Sequence, residues 1–215
     1  MRYLISSDYH LGHSKIIQYS NRPFKSAEEM NEIIIKNHNQ RVTPDDIFIH
    51  NGDFCFKHNL TLDVEAGGRP IKAEQWLRRL NGHKIMMKGN HDASGGLKTC
   101  LESLNLSFAG RKFHITHKPT FSDPNADINL IGHVHNAWKI RTFKEHYSII
   151  RGLFESGNIQ PTDRLDLQDF MNTEYLNHDS ESILYNVGCD VNRFMPVTLD
   201  EILGQIQKYK KTGSC

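Results

Sequence analysis

Five short polar clusters in this sequence each follow an apolar run, and each contains a carboxylate, an imidazole or an amide that can bind a metal ion. They are Asp8-Tyr9-His10, Gly52-Asp53, Gly89-Asn90-His91-Asp92, Thr116-His117 and Gly132-His133-Val134-His135. One such cluster is weak evidence, because Gly-Asn pairs also mark ordinary turns. Their recurrence where predicted strands end indicates that one fold brings them together.

The candidate metal ligands are a mixed set of oxygen and nitrogen donors. The seven residues are Asp8, His10, Asp53, Asn90, His117, His133 and His135. No single ion needs so many protein ligands of this mixture. Two ions about 3.5–4 Å apart that share one carboxylate, most naturally Asp53, would use all seven and leave positions for a water and a substrate oxygen. We expect two divalent ions, Mn²⁺ in the first place with iron, zinc or nickel as alternatives, because calcium and magnesium require more carboxylates.

Short apolar runs predict the strands that would position these clusters. They cover residues 2–7, 47–50, 84–88, 113–117 and 127–131. Residues two apart on an extended segment point to the same side, so Asp8 and His10 are predicted to face one point. The same spacing predicts a common direction for His133 and His135. His13 follows a turn at Gly12 and either approaches the site from a loop or has a structural role.

Helices are predicted between these strands. Ser26 with Glu29 forms a capping box that begins a helix reaching about residue 40, and Thr198 with Glu201 begins a helix near the end of the chain. Another helix is predicted to begin at Pro70. The order strand, helix, strand, helix, strand predicts a largely parallel sheet.

The hydrophobic periodicity weakens between residues 141 and 182. This stretch contains eight acidic and four basic residues, and one helix is predicted from about 163 to 175. We expect an insertion within a single domain that covers residues 1–215. It is either a lid beside the site or a solvated decoration or contact in a homo-oligomer.

Amino-acid composition limits the expected binding partners and the expected cellular compartment. A hydrophobic fraction of 38% supports a buried core, and a net charge of +1 gives no overall basic field of the kind that nucleic-acid-binding proteins carry. The four cysteines show no CxxC spacing, which argues against a disulfide framework. No apolar run is long enough to span a bilayer, so we expect a cytoplasmic protein without a membrane partner.

Taken together and in this order, the five motifs resemble the calcineurin-like metallophosphoesterases. The resemblance covers almost the whole chain except roughly residues 141–182. Leu11-Gly12-His13, residues 21–24 and residues 186–192 further resemble the small single-domain members found in bacteria and their phages. The resemblance implies an α/β fold of four αββα layers, in which helices flank two mixed β-sheets.

The resemblance also implies a division of labour among the motif residues. One metal would be held by Asp8, His10, Asp53 and His135, and the other by Asp53, Asn90, His117 and His133. His91 would contact the phosphate and protonate the leaving group, and Asp92 would orient His91. A hydroxide held between the two ions would attack phosphorus in line.

Differences from the wider family narrow the range of expected substrates. The Ser/Thr protein phosphatases carry an arginine shortly after the second motif, where this chain has residues 54–57, and a glutamate in place of Asp92. A protein-phosphatase role is therefore disfavoured. We predict a phosphodiesterase or phosphatase that acts on a small phosphate ester of nucleotide type, with His13, Arg22 or Lys118 contacting the substrate phosphate.

Two other functions stay open at this point. A nuclease or nucleic-acid end-processing enzyme would need a basic groove lined with aromatic residues, which the sequence does not display. A metal-bearing scaffold that binds partners without catalysis would not need the complete ligand set together with His91.

Overall fold

The computed structural model describes residues 1–56, 62–63, 69–92, 96–156, 170 and 180–213. The strands in this part of the chain are β1 (Tyr3–Ser6), β2 (Ile47–Asn51), β3 (Leu62–Asp63), β4 (Arg69–Pro70), β5 (His83–Met87), β6 (Ser103–Phe108), β7 (Arg111–Thr116), β8 (Ile128–Ile131), β9 (Ile140–Thr142), β10 (Ile183–Asn186) and β11 (Val197–Thr198). The helices are α1 (Ser14–Tyr19), α2 (Ala27–Arg41), α3 (Ala73–Arg78), α4 (Phe143–Glu155) and α5 (Leu199–Thr212).

The strands form two mixed sheets. The first has the order β11-β1-β2-β5, in which β1, β2 and β5 are parallel and β11 is antiparallel to β1. The second has the order β6-β7-β8-β10-β9, in which β7, β8 and β10 are parallel and the two edge strands are antiparallel. β3 and β4 pair separately. The predicted α/β fold of two mixed sheets with flanking helices is therefore confirmed.

Side chains that alternate between the two faces of β1 explain why the sheets are layered. Leu4 packs in one cluster with Met30 of α2 and Trp76 of α3, on the outer face of the first sheet. Its neighbour Ile5 packs with Leu130 of β8, so the opposite face contacts the second sheet. Successive side chains on a strand point to opposite faces, and here both faces are apolar because both are covered.

The two predicted capping boxes begin helices as expected. Ser26 Oγ accepts a hydrogen bond from the Glu29 N–H at 3.2 Å at the start of α2. Thr198 and Glu201 bond reciprocally at the start of α5. The helix predicted to begin at Pro70 begins instead at Ala73, and Pro70 lies in β4. Among the described residues, no helix has both the length and the apolar composition needed to cross a bilayer.

Helix α4 was not predicted, although it begins with the same signal. Thr142 Oγ1 accepts from the Glu145 N–H at 3.1 Å, and Glu145 Oε2 accepts from the Thr142 N–H at 2.8 Å. Phe143, at its start, packs against Leu184 of β10. The first part of the predicted insertion is thus helical and packs on the second sheet. The helix predicted at 163–175 lies outside the described residues, except for Phe170.

His146 of α4 is buried among aromatic rings. Its ring centroid lies 5.6 Å from that of Trp138 and 6.0 Å from that of Phe170. Within the described part of the chain, neither of its ring nitrogens has a hydrogen-bond partner. Burial lowers the pKa of His146 to about 4. The unfolded chain, in which this pKa returns to about 6.5, therefore takes up the proton first as the pH falls.

We expect His146→Leu to make the fold less sensitive to acid. Stability that depends on a neutral buried histidine is present above the unfolded pKa and is lost as the pH falls towards the folded pKa. Between pH 8 and pH 5, the wild type should lose about 2 kcal/mol more of its unfolding free energy than the variant. Urea unfolding at both pH values measures this difference, in which a constant change in packing cancels. Equal losses in the two proteins would show that His146 does not control the response.

Candidate metal centre

Two groups of potential metal ligands lie side by side where the strands end. Among the described residues, the first group is Asp8, His10 and His135, and the second is Asp53, His117 and His133. Within each group, one ligand atom from each residue lies within 4.8 Å of the others. Asp8 follows β1, Asp53 follows β2 and His117 follows β7. The carboxyl ends of parallel strands therefore deliver the ligands to one edge of the molecule, as they do in other α/β folds.

Asp53 lies between the two groups. Its Oδ2 is 3.6 Å from His10 Nε2 in the first group and 3.3 Å from His117 Nε2 in the second. The carboxylate is 1% exposed. In the described part of the structure, the buried His10 Nε2 has no hydrogen-bond partner, which is rare for a buried polar atom. A carboxylate shared between two sites and an imidazole nitrogen aimed at one of them fit a pair of metal ions.

Asn90 extends the second group. Its Oδ1 lies 3.1 Å from His117 Nε2 and 2.9 Å from His133 Nδ1. The amide oxygen therefore faces the same point as the two imidazoles. The donors in both groups are nitrogen and oxygen atoms without a thiolate, a mixture that suits Mn²⁺, iron, zinc and nickel.

The backbone that presents the ligands is left-handed rather than extended. Positive φ angles occur at Asp8 (60°), His10 (50°), Asp53 (57°), His133 (69°) and His135 (46°). The extended geometry from which a common direction was predicted for Asp8 and His10, and for His133 and His135, is therefore wrong. Asp8 and His10 do belong to one ligand group, whereas His133 and His135 belong to different groups. Non-glycine residues seldom adopt this conformation, and such strain is concentrated at functional sites.

Glycines pack directly beneath the ligands. A Cβ atom on Gly89 would lie 2.2 Å from Asp53 Oδ1, and one on Gly132 would lie 2.8 Å from Asp8 Oδ2. Both distances are far shorter than a van der Waals contact, so any side chain here would displace a ligand. The glycines that precede Asn90 and His133 in the motifs are explained by this close approach.

Burial and neighbouring charges shift the pKa values of the titratable groups in the site. Burial raises the pKa of Asp8 and lowers that of His10 well below its usual value. Burial also lowers the pKa of His117, but the hydrogen bond to Asp53 and the charge of Asp8 outweigh it and raise this pKa to about 9. A cation at His117 must displace a proton, so metal affinity should fall as the pH falls.

Arg22 was predicted to contact a substrate phosphate, but the structure places it behind the site. Its side chain is 0% exposed. The guanidinium binds Asp190 through Nε at 2.8 Å and Nη2 at 2.9 Å, and Nη2 also donates to the Asp8 carbonyl at 2.7 Å. Asp190 Oδ2 in turn lies 3.1 Å from His135 Nδ1. Arg22 thus positions Asp190, and Asp190 contacts the potential ligand His135.

Sequence reasoning did not identify the role of Asp190, although it lies in the late motif at 186–192. We expect Asp190→Asn to weaken Mn²⁺ binding by about 10–100-fold, because a carboxylate partner fixes the orientation and basicity of a ligating imidazole. It should also destabilise the fold by about 3–5 kcal/mol, since Arg22 would keep a buried charge without a counterion. The double variant Arg22→Gln with Asp190→Asn separates these effects by removing that charge.

Calorimetric titration with Mn²⁺, on protein shown by circular dichroism to be folded, measures the affinity. The exposed Asp127, which pairs with Arg111 at 3.5 Å, supplies the matched control Asp127→Asn. Unchanged Mn²⁺ affinity in both Asp190 variants would contradict the orienting role.

Asp92 was predicted to orient His91, but its carboxylate holds the main chain. Oδ2 accepts from the N–H groups of Asp53 and Gly89, both at 2.8 Å, and Oδ1 accepts from the Phe54 N–H at 3.0 Å. Asp92 is 1% exposed. It ties the end of β2 to the turn after β5, and its orientation of His91 stays a prediction.

His91 and His13 lie at the open side of the first ligand group. Each ring centroid is 5.5 Å from that of His10, and the His13 ring stacks on Phe56 at 4.2 Å. Burial lowers the pKa of His13 to about 4, so near neutral pH it offers hydrogen bonds rather than charge. A cavity of about 380 Å³, which we call the histidine cavity, is lined by His10, His13, His91, His133 and His135. Phosphate contacts by His13 and His91 stay predictions.

Comparison with known proteins agrees with the motifs. A sequence profile of the family described as calcineurin-like phosphoesterase matches residues 1–194. An uncharacterized protein of Methanocaldococcus jannaschii is 33% identical over 208 residues, which are 97% of this chain and 92% of that protein. The family predicted from the sequence is therefore confirmed.

One solved structure supports the fold. A protein of unknown function from Aquifex aeolicus aligns with a TM-score of 0.58 at 20% identity, over 95% of this chain and 98% of its own. An archaeal phosphodiesterase aligns over 93% of this chain and 99% of its own, at 14% identity and a TM-score of 0.33.

Proposed function

As a member of the calcineurin-like phosphoesterase family, this chain is a metal-dependent phosphoesterase, and we propose that it hydrolyses a small phosphodiester or phosphomonoester of nucleotide type. The observation that carries the proposal is the position of Asp53. One buried carboxylate lies within 3.6 Å of an imidazole nitrogen from each of the two ligand groups. A pair of adjacent cation sites is the arrangement that enzymes use to displace a group at phosphorus.

The ligand groups would hold two divalent ions, Mn²⁺ in the first place. When bound, the ions would activate the attacking water and neutralise charge on the phosphate oxygens. The protein holds the potential metal ligands in place. Asp190 and the left-handed backbone fix the imidazoles, and Asp92 fixes the main chain beside Asp53.

His91 is the proposed general acid. Its main-chain N–H donates to Asp53 Oδ1 at 2.9 Å, so its position is tied to the centre of the site. Its ring is partly buried and lines the histidine cavity, where a leaving group can approach it. An imidazole nitrogen within hydrogen-bond distance of the departing oxygen would give it a proton as the bond to phosphorus breaks.

The size and charge of the site favour a small substrate. The cavities that border the ligand groups have volumes of about 380 and 430 Å³, which suit a ligand of nucleotide size. The net charge of +1 provides no overall attraction for a long polyanion. A small ester is therefore proposed in preference to a nucleic acid.

The experiment that tests this proposal compares two chromogenic esters. The wild-type protein is loaded with Mn²⁺ and assayed with p-nitrophenyl phosphate and bis(p-nitrophenyl) phosphate, and the assay is repeated after chelation with EDTA. Hydrolysis of at least one ester that stops on chelation and returns with Mn²⁺ is the expected result. No hydrolysis of either ester by protein shown to contain the metal would contradict the proposal.

A further inference from the structure

The site is bordered by a second cavity that the mechanism above does not use. It has a volume of about 430 Å³ and we call it the Phe121 cavity. Asn90 and His117 of the second ligand group line it, together with Lys118 and Phe121. The histidine cavity borders the first ligand group and contains His91. Asn90 of the Phe121 cavity is next in sequence to His91 of the histidine cavity, and its Oδ1 lies 2.9 Å from Nδ1 of His133, which also lines the histidine cavity. We therefore expect one phosphorus atom at the ligand groups to carry a substituent into each cavity.

We infer that the substrate is a phosphodiester whose leaving group occupies the histidine cavity and whose retained group is a nucleoside that stacks its base on Phe121. The inference rests on the proposed function. A monoester carries one organic group and would fill one cavity, whereas a diester carries two. His91 fixes the assignment, because a general acid must lie beside the oxygen that departs.

Phe121 is an exposed aromatic side chain on a turn that is held in place. The ring is 55% exposed. The turn Pro119–Phe121 begins two residues after His117, and the Phe121 N–H donates to the Lys118 carbonyl at 3.1 Å. His114 Nε2 donates to the Phe121 carbonyl at 3.1 Å. A flat apolar surface fixed beside a phosphate site is the feature on which nucleobases stack, whatever their identity.

The charges around the cavity also fit an esterified phosphate. Lys118 directly follows the ligand His117 and lines the cavity, so a positive charge lies next to the place where a phosphate oxygen would bind. Lys88 also lines it and pairs with Glu102 at 2.7 Å. The cavity therefore combines a basic residue near the ligand groups with an aromatic ring further out.

The proposed reaction is balanced without a further reactant. The oxygen of water bonds to phosphorus, and the bond from phosphorus to the leaving oxygen breaks. His91 gives its proton to that oxygen, and the proton lost by the water reaches solvent, from which His91 is protonated again. The products are an alcohol in the histidine cavity and a nucleoside monophosphate in the Phe121 cavity.

The test uses two diesters that share a leaving group and differ in the retained group. Thymidine 5′-(p-nitrophenyl phosphate) retains a nucleoside, and methyl p-nitrophenyl phosphate retains a methyl group. For the Mn²⁺-loaded protein, we expect Phe121→Ala to lower the ratio of kcat/KM for the thymidine ester to that for the methyl ester about tenfold. Phe121→Trp should keep the wild-type ratio. Calorimetry should show about tenfold weaker binding of thymidine 5′-phosphate to Phe121→Ala.

A matched control separates stacking from a general loss of surface aromatics. Tyr3 is 38% exposed and lies at the start of β1, away from both cavities, so Tyr3→Ala should leave the ratio unchanged. A wild-type ratio and wild-type thymidine 5′-phosphate binding in Phe121→Ala would overturn the inference while hydrolysis itself upheld the proposed function. Failure of the Mn²⁺-loaded wild type to hydrolyse either diester would overturn the inference, and the proposed function would fall with it only if p-nitrophenyl phosphate were not hydrolysed either.

Discussion

Replacing His91 by alanine is expected to slow hydrolysis of a phosphodiester by about 10²–10⁴-fold, the usual contribution of a general acid. The Mn²⁺ content should stay at the wild-type level, because the His91 ring belongs to neither group of potential ligands. The loss should be larger for an alkyl leaving group than for p-nitrophenol, since a basic alkoxide depends more on protonation as it leaves. Steady-state rates with the two kinds of ester, together with metal analysis, measure these effects.

The control for this variant is His83→Ala. His83 is exposed and begins β5, at the end of the strand opposite to the one that delivers Asn90, so its loss should not change either rate. An equal loss for both kinds of leaving group in His91→Ala would contradict proton donation and would indicate that the ring only binds the phosphate. A wild-type rate for the alkyl ester would exclude a role in the reaction.

Asp53→Asn is expected to abolish the paired metal site and to lower phosphodiester hydrolysis about 1,000-fold. Asparagine keeps the size of the side chain and can still accept from the His91 N–H through Oδ1, so the loops should stay in place. It removes the negative charge that lies between His10 and His117. Metal ions supply several kcal/mol of transition-state stabilisation, and each 1.4 kcal/mol corresponds to about tenfold in rate.

Metal analysis of the purified variant tests whether Asp53 is needed to bind both ions. We expect fewer than two Mn²⁺ ions per chain in Asp53→Asn, with an unchanged circular dichroism spectrum. Asp45→Asn is the matched control, because Asp45 is exposed in the turn before β2. Two ions bound at wild-type affinity in Asp53→Asn would refute its role as the shared ligand, whatever the rate of hydrolysis.

The sequence was sufficient to predict the strands and the residues that meet at their ends. Apolar runs ended by polar clusters predicted β1, β2, β5, β7 and β8 to within one or two residues. This succeeded because strands that are covered on both faces must be continuously apolar, and the polar residues that follow them then lie at one edge of the sheets. The spacing of residue types therefore predicts both the strands of the fold and the location of the site.

The local conformation of the ligands could not be predicted in the same way. Asp8 and His10 were expected on an extended segment, yet both are left-handed. Aspartate and histidine are enriched in this conformation among non-glycine residues, but residue type alone does not predict it, because it persists only where the surroundings enforce it. The hydrogen bonds from the Asp8 and His10 N–H groups to the carbonyls of Gly52 and Asp53 supply that enforcement.

The contacts made by residues behind the potential ligands could not be predicted for a related reason. Arg22 and Asp190 are 168 positions apart, so their ion pair follows from the fold and not from any local pattern. Asp92 lies next to His91 in sequence, but its carboxylate turns to the main chain of Asp53 and Phe54. By contrast, the capping box of Thr142 and Glu145 is a local sequence pattern that predicts the start of α4. It was missed because the acidic composition of the region favoured an insertion.

The most direct test of a two-metal hydrolytic site is a titration of metal-free protein with Mn²⁺ while hydrolysis of bis(p-nitrophenyl) phosphate is followed. The protein concentration is kept above the dissociation constant for the ions, so that the end point reports stoichiometry. A two-metal hydrolytic site predicts no hydrolysis without metal and a rate that rises until two ions are bound per chain. Full hydrolysis in the metal-free protein, or none after two ions have bound, would contradict it.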